Sequence, residues 1–260
     1  MSELRITLVQ ADLHWEDPVA NRQMLEELLV DVTGSDLIVL PEMFSTGFTM
    51  NAQALAEPME RSETVAWMRE QASRTQAVIT GSIVILDDGV CYNRMIWATP
   101  QGELRWYDKR HLFRMAGEHE RYGMGRERVI VELNGFKILL SVCYDLRFPV
   151  WSRNVGNEYD LMLCVANWPS ARRIPWRTLL QARAIENQCY VIGVNRVGED
   201  GKGLHYSGDS MLVDYLGEPL IDDEREISFV RTGVIGRESL EAFRAKFPAW
   251  MDADRFTISP

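Results

Sequence analysis

Lys137-Ile-Leu-Leu-Ser-Val-Cys143-Tyr-Asp-Leu-Arg-Phe-Pro149 is the stretch on which the fold turns. Residues 138–142 form an apolar run of strand length, bounded by polar residues, and read as a buried strand. Just upstream, Asn134-Gly135 is a type I′ hairpin signal, because both central residues of that turn need positive φ. It joins residues 129–133 to 136–142 and sets the strand that delivers Cys143. A polar turn and a predicted helix follow. The positive end of a helix dipole there would favour the thiolate, which is the reactive form. A free cysteine is more often a small core hydrophobe, so a catalytic reading of Cys143 depends on partners.

Two other segments supply them. Asp36-Leu-Ile-Val-Leu-Pro-Glu42 is a second apolar strand ending at a carboxylate. Such a group can take a thiol proton and return it to a leaving amine. Tyr107-Asp-Lys109 follows the strand-like residues 103–106. An ammonium aimed at a developing oxyanion can stabilise a tetrahedral intermediate. Alone, Glu42 reads as a solvated strand end and Lys109 as a surface charge. Three polar strand ends carrying a nucleophile, a base and an oxyanion donor form a more specific pattern.

Leu-Pro-Glu42, Tyr-Asp-Lys109 and Cys143-Tyr-Asp-Leu-Arg-Phe-Pro, in that order, resemble the nitrilase superfamily of carbon–nitrogen hydrolases. The similarity runs from Ile6-Thr-Leu-Val-Gln10 to about Arg237. The wording of Cys143-Tyr-Asp-Leu-Arg-Phe-Pro-Val-Trp-Ser-Arg153 and Asn167-Trp168-Pro169 is most similar to the omega-amidase branch, which hydrolyses the terminal amide of 2-oxo-acid monoamides such as 2-oxoglutaramate and 2-oxosuccinamate. The resemblance implies a cysteine thioester, with the backbone N–H of Tyr144 joining Lys109 in holding the oxyanion. It also implies a second glutamate in the loop after the lysine. In Gly117-Glu118-His-Glu120-Arg-Tyr122-Gly-Met-Gly125, Glu118 matches that position better than Glu120. No cofactor or metal is implied.

Other readings remain open on the same scaffold: a nitrilase, an N-carbamoyl amino acid hydrolase or a non-catalytic binding protein. A fused glutaminase role is not expected, since no second domain follows. Arg147, Arg172 and Arg173 are the candidates to fork onto a substrate carboxylate, and at least one of them is expected in a structural ion pair instead. Trp168 either walls the pocket or packs on its rim.

The chain has 260 residues, 46% of them hydrophobic, enough for one large core. Residues 1–260 read as one hydrolase domain, with about 237 to 260 a C-terminal helix and tail. No apolar run reaches about 18 residues, so neither a membrane span nor a membrane partner is expected, and the N-terminus lacks a signal-peptide core. Cys91, Cys143, Cys164 and Cys189 show no C-x-x-C spacing, which fits reduced thiols in the cytoplasm. The net charge of −10 disfavours nucleic acid as a partner and gives no global steering of an anion. The expected partners are a small amide, water and a second copy of the chain, as a homodimer or higher homo-oligomer.

Along the chain, strands are joined by both helices and hairpins. Met24, Leu25, Leu28, Leu29 and Val32 recur at helical spacing, as do residues 64–74, 176–187 and 238–247. Strands are read at 4–9, 37–40, 77–86, 90–99, 161–166, Tyr190–Asn195, 211–215 and 227–230. This pattern predicts an α/β fold with mixed sheets; the four-layer α-β-β-α sandwich is what the resemblance implies. Gly198-Glu-Asp-Gly201-Lys-Gly203 lacks a dinucleotide fingerprint and reads as a hairpin turn. His119-Glu120 has no second histidine to make a zinc site, and His111, two residues from Lys109, reads as a packing histidine.

Overall fold

The computed structural model describes residues 2–223, 225–254 and 256–258. The Asn134-Gly135 turn forms as its chemistry dictates, with φ of 49° and 84°. It joins β7 (Ile130–Leu133) to β8 (Phe136–Val142) antiparallel. From β8 the sheet grows by parallel pairing to β9 (Leu161–Ala166) and β10 (Tyr190–Asn195), then antiparallel to β13 (Met211–Val213) and β14 (Pro219–Asp222).

A second mixed sheet has the order β15-β1-β2-β4-β5-β6, with the two-residue β3 (Glu57–Pro58) paired to β4. Its parallel centre is β1 (Glu3–Gln10), β2 (Leu37–Val39) and β4 (Val78–Asp87). Antiparallel flanks are β15 (Phe229–Gly236) on one side, and β5 (Val90–Ala98) and β6 (Leu104–Asp108) on the other. A small ribbon, β11 (Val197–Glu199) and β12 (His205–Ser207), stands apart.

Side-chain alternation explains the layers. Leu4, Ile6 and Leu8, with Leu37 and Val39, point into the core shared with β8–β10. Their neighbours Val9, Ile38, Leu40 and Ile79 point the other way, onto Leu25 of α1 (Pro18–Leu28) and Val65 and Met68 of α3 (Glu63–Thr75). On the far side, α5 (Arg173–Asn187) and α6 (Arg237–Lys246) cover the sheet that holds β8, β9 and β10, through Leu180, Ala184 and Leu240. The result is helix, sheet, sheet, helix, the four-layer α/β sandwich that the resemblance implied. Two one-turn helices, α2 (Ala52–Leu55) and α4 (Pro149–Ser152), lie in connections.

Several boundaries differ from those read in the sequence. Helix α1 stops at Leu28, short of Val32, and α5 starts at Arg173 rather than Trp176. Strand β15 continues through Arg231-Thr232-Gly233, which the polar composition concealed; it survives there because Thr232 Oγ1 bonds Thr7 Oγ1 at 2.7 Å along the β1 edge. The largest departure follows Cys143. No long helix starts there: residues Cys143–Arg147 form a 3₁₀ turn and α4 adds one turn more. A sustained helix dipole is therefore not what acts on the thiol. The tail continues as a 3₁₀ turn, Ala249–Asp252. Met1, Glu224, Arg255, Ser259 and Pro260, which fall within the expected domain and its tail, lie outside the described residues.

Candidate active site

The polar strand ends converge. Glu42 sits three residues past β2, after Leu40-Pro41, where Met43 takes a positive φ of 41° and its N–H donates to Ser82 Oγ. Lys109 directly follows β6. Its N–H donates to Asn93 O at 3.0 Å, and its carbonyl accepts from Gly125 N at 2.9 Å. Gly125 is required at that contact, since a Cβ would lie 1.9 Å from Asp108 O. Cys143 follows β8 with φ of +47°, a left-handed conformation costly for a side-chain-bearing residue and found preferentially where function needs it. Asn167 follows β9.

The Lys109 ammonium lies 2.8 Å from Glu42 Oε1 and 3.0 Å from Glu118 Oε1, with all three side chains fully buried. Asn93, in the middle of β5, donates through Nδ2 to the same two oxygens at 2.8 and 3.2 Å. The other Glu42 oxygen accepts from Asn167 N at 2.7 Å, and Asn167 Nδ2 donates to the Glu42 carbonyl. Glu118 Oε2 accepts from Phe113 N at 2.6 Å. Of the two glutamates in this loop, Glu118 reaches the lysine, while Glu120 is exposed beside His119. The Cys143 thiol points at Asn167 O, 3.9 Å away.

Electrostatics follow from this burial. Desolvation pushes the Cys143 thiol well above its ordinary value and the charge of Glu42 pushes it further, against a downward pull from Lys109. The thiol therefore rests protonated, next to a group able to accept that proton. Burial works against the Lys109 ammonium, but Glu118, Glu42 and Cys143 together outweigh it and hold its pKa well above the usual lysine range. For Glu118, desolvation outweighs the downward pull of Lys109 and the net direction is up.

Beneath the nucleophile, buried Asp145 ties the turn to the Lys109 loop. One oxygen accepts from His111 N and lies 2.7 Å from His111 Nδ1; the other accepts from Tyr107 Oη and Val142 N. His111 stacks on Phe148 at 3.7 Å, a packing role behind the site.

Cys143 opens into a cavity of about 250 Å³ walled by Phe48, Phe113, Tyr144, Trp168 and Tyr206. Arg147 lines it with its guanidinium 4.9 Å from the Trp168 ring, and Arg172 lines it 5.3 Å from the Phe113 ring. Neither has a carboxylate partner among the described residues. Arg173 is placed elsewhere: its Nε and Nη2 grip Asp209 at 2.8–2.9 Å, and it does not line the cavity. Trp168 is both wall and brace, its Nε1 donating to Arg172 O at 2.7 Å. Sequence reasoning missed Asn93, whose only signal is an amide within an apolar strand, and the role of Asn167 on Glu42.

Known proteins share this arrangement of chain. The chain is 49% identical over 258 residues to an omega-amidase YafV from Yersinia enterocolitica, covering 99% of this chain and 100% of that protein. It is 32% identical to a 2-oxoglutaramate amidase from Bacillus subtilis, over 95% of this chain and 96% of that one. A crystal structure of a CN-hydrolase superfamily protein from Xanthomonas campestris, with an arsenic adduct in its active site, superposes with a TM-score of 0.97 at 50% identity, over 100% of both chains. The carbon-nitrogen hydrolase family model matches residues 5–245. With Glu42, Lys109 and Cys143 gathered as its motifs imply, the chain belongs to the carbon-nitrogen hydrolase family.

Proposed function

We propose that this protein is an omega-amidase: it hydrolyses the terminal amide of 2-oxo-acid monoamides such as 2-oxoglutaramate to the 2-oxo dicarboxylic acid and ammonia. The observation that carries this reading is a buried Cys143–Glu42–Lys109 cluster opening into a small cavity whose wall presents two guanidinium groups without carboxylate partners. The thiol supplies a nucleophile, and Arg147 and Arg172 supply charge for a carboxylate at the other end of the substrate.

In this mechanism Glu42 takes the Cys143 proton as sulfur bonds to the amide carbon. The carbonyl oxygen becomes an oxyanion held by the Lys109 ammonium and the Tyr144 N–H. Collapse of the intermediate breaks the C–N bond, and Glu42 gives its proton to the departing nitrogen, leaving a thioester and ammonia. Water then loses a proton to Glu42 and attacks the thioester. The acid departs as the thiolate leaves and is reprotonated by Glu42. Asn93 and Asn167 fix the Glu42 carboxylate for both transfers, and Glu118 fixes Lys109. An arsenic adduct in the active site of the Xanthomonas campestris protein supports a reactive centre at this place in the fold. Four free thiols fit the cytoplasm, and no helix among the described residues is long and apolar enough to cross a membrane. We place the enzyme there as a homodimer, to be checked by sedimentation.

Ammonia release from a panel tests the substrate reading. 2-Oxoglutaramate is expected to exceed a neutral amide of equal length, an N-carbamoyl amino acid and a nitrile in kcat/KM. Equal or better turnover of a neutral amide or nitrile contradicts it.

A further inference from the structure

We propose that Lys202, at the tip of the β11–β12 hairpin, is a specificity-determining contact for the substrate carboxylate. The proposal rests on the amidase reading above and extends its anion site beyond the two arginines. Three observations place Lys202 there. It lines the same cavity as Cys143, Arg147 and Arg172, from the opposite chain segment. It has no carboxylate partner among the described residues, and its ammonium lies 5.8 Å from the Trp15 ring, a contact that leaves its charge uncompensated.

The third observation is that its backbone is built rather than floppy. Asp200 Oδ1 accepts from Lys202 N at 2.8 Å and Leu204 N at 3.0 Å, and Asp200 Oδ2 accepts from Tyr206 Oη at 2.9 Å. Gly201 presses so closely on Trp15 that a Cβ would lie 2.2 Å from its ring. Asp200, the one acidic residue lining the cavity among the described residues, has both carboxylate oxygens engaged in holding the hairpin. Buried Arg196 underlies the ribbon, 4.8 Å from the Tyr206 ring and bonded to Val197 O and Glu199 O. A hairpin anchored at its base and its tip presents an exposed lysine at a fixed height over the pocket mouth. In a protein of net charge −10, a cationic rim is what an anionic amide would need on entry.

The test compares kcat and KM for 2-oxoglutaramate and for a neutral primary amide of equal length in wild type, Lys202→Met and Lys202→Arg. Because the contact is partly solvated, Lys202→Met should raise KM for the anionic amide about three- to tenfold with kcat nearly unchanged. The neutral amide should be unaffected and Lys202→Arg should restore the anionic KM. Added salt should erode the wild-type preference more than that of Lys202→Met. An equal loss on both amides, or an unchanged anionic KM, overturns the role of Lys202 while the amidase reading stands. Absence of any preference for the anionic amide in the wild type overturns both.

Discussion

Lys109 is stable as a buried cation only because two carboxylates face it, and they in turn stay buried only because of it. Removing one member of such a cluster leaves an uncompensated charge, typically at a cost of about 3–5 kcal/mol. Lys109→Met should therefore destabilise the fold as well as cut turnover, and the loss should depend on pH. Glu118 already sits above its ordinary 4.5 in the folded protein, and without the ammonium it rises further. A carboxyl harder to ionise folded than unfolded holds extra protons in the native state, so stability falls as pH climbs from about 4.5 towards the folded value. The melting-temperature gap between wild type and Lys109→Met should widen as pH rises above about 4.5; a constant gap contradicts the account. Glu42→Gln, which keeps the shape but not the proton acceptor, should lower kcat by roughly two to four orders of magnitude in an ammonia-release assay. Glu42, Lys109 and Cys143 were legible because each stands just past a strand in a short motif, and the three motifs in that order resemble one family. Asn93 was not, because a mid-strand amide reveals its partners only once β5 lies beside the Lys109 loop.

Elements carry the next level of precision. The turn Cys143–Arg147 is held from below by Asp145, which accepts from two backbone N–H groups and the Tyr107 hydroxyl. Asp145→Ala strips three donors, two of them fully buried, of their acceptor and should cost about 2–5 kcal/mol in denaturant unfolding, with a fall in kcat as the nucleophile turn loosens. Asp145→Asn, able to keep some of these bonds, should fall between. Unchanged stability in Asp145→Ala would contradict the bracing role. The sequence led to a helix after Cys143, yet Pro149 and the local bonds of Asp145 close the turn at once. The hairpin at Gly198 to Gly203 was readable from its glycines, but nothing in its local chemistry tells that its tip meets a pocket built by residues far away in the chain. The continuation of β15 past Val230 escaped for a similar reason: its half-exposed edge position permits the polar run Arg231-Thr232 that a buried strand would not.

At the scale of the whole molecule, the site is shared between the two sheets. Glu42, Asn93 and Lys109 come from β2, β5 and β6, whereas Cys143 and Asn167 end β8 and β9. The core between the sheets sets the distance from base to nucleophile, so the chemistry depends on intact sandwich packing. The same packing seals Cys164 and Cys189 at 0% exposure, while Cys143 faces the cavity. An electrophilic amide analogue should add once, on Cys143, and intact mass with peptide mapping checks it; labelling spread over all four thiols contradicts selective activation. The most direct measurement is acid-quenched mass spectrometry of enzyme mixed with 2-oxoglutaramate on the millisecond scale. The account predicts an adduct equal to the substrate less ammonia, confined to the Cys143 peptide, appearing before steady state and absent from Cys143→Ala, which releases no ammonia. Ammonia release by Cys143→Ala at a rate near that of wild type, with no acyl group on the enzyme, would contradict it.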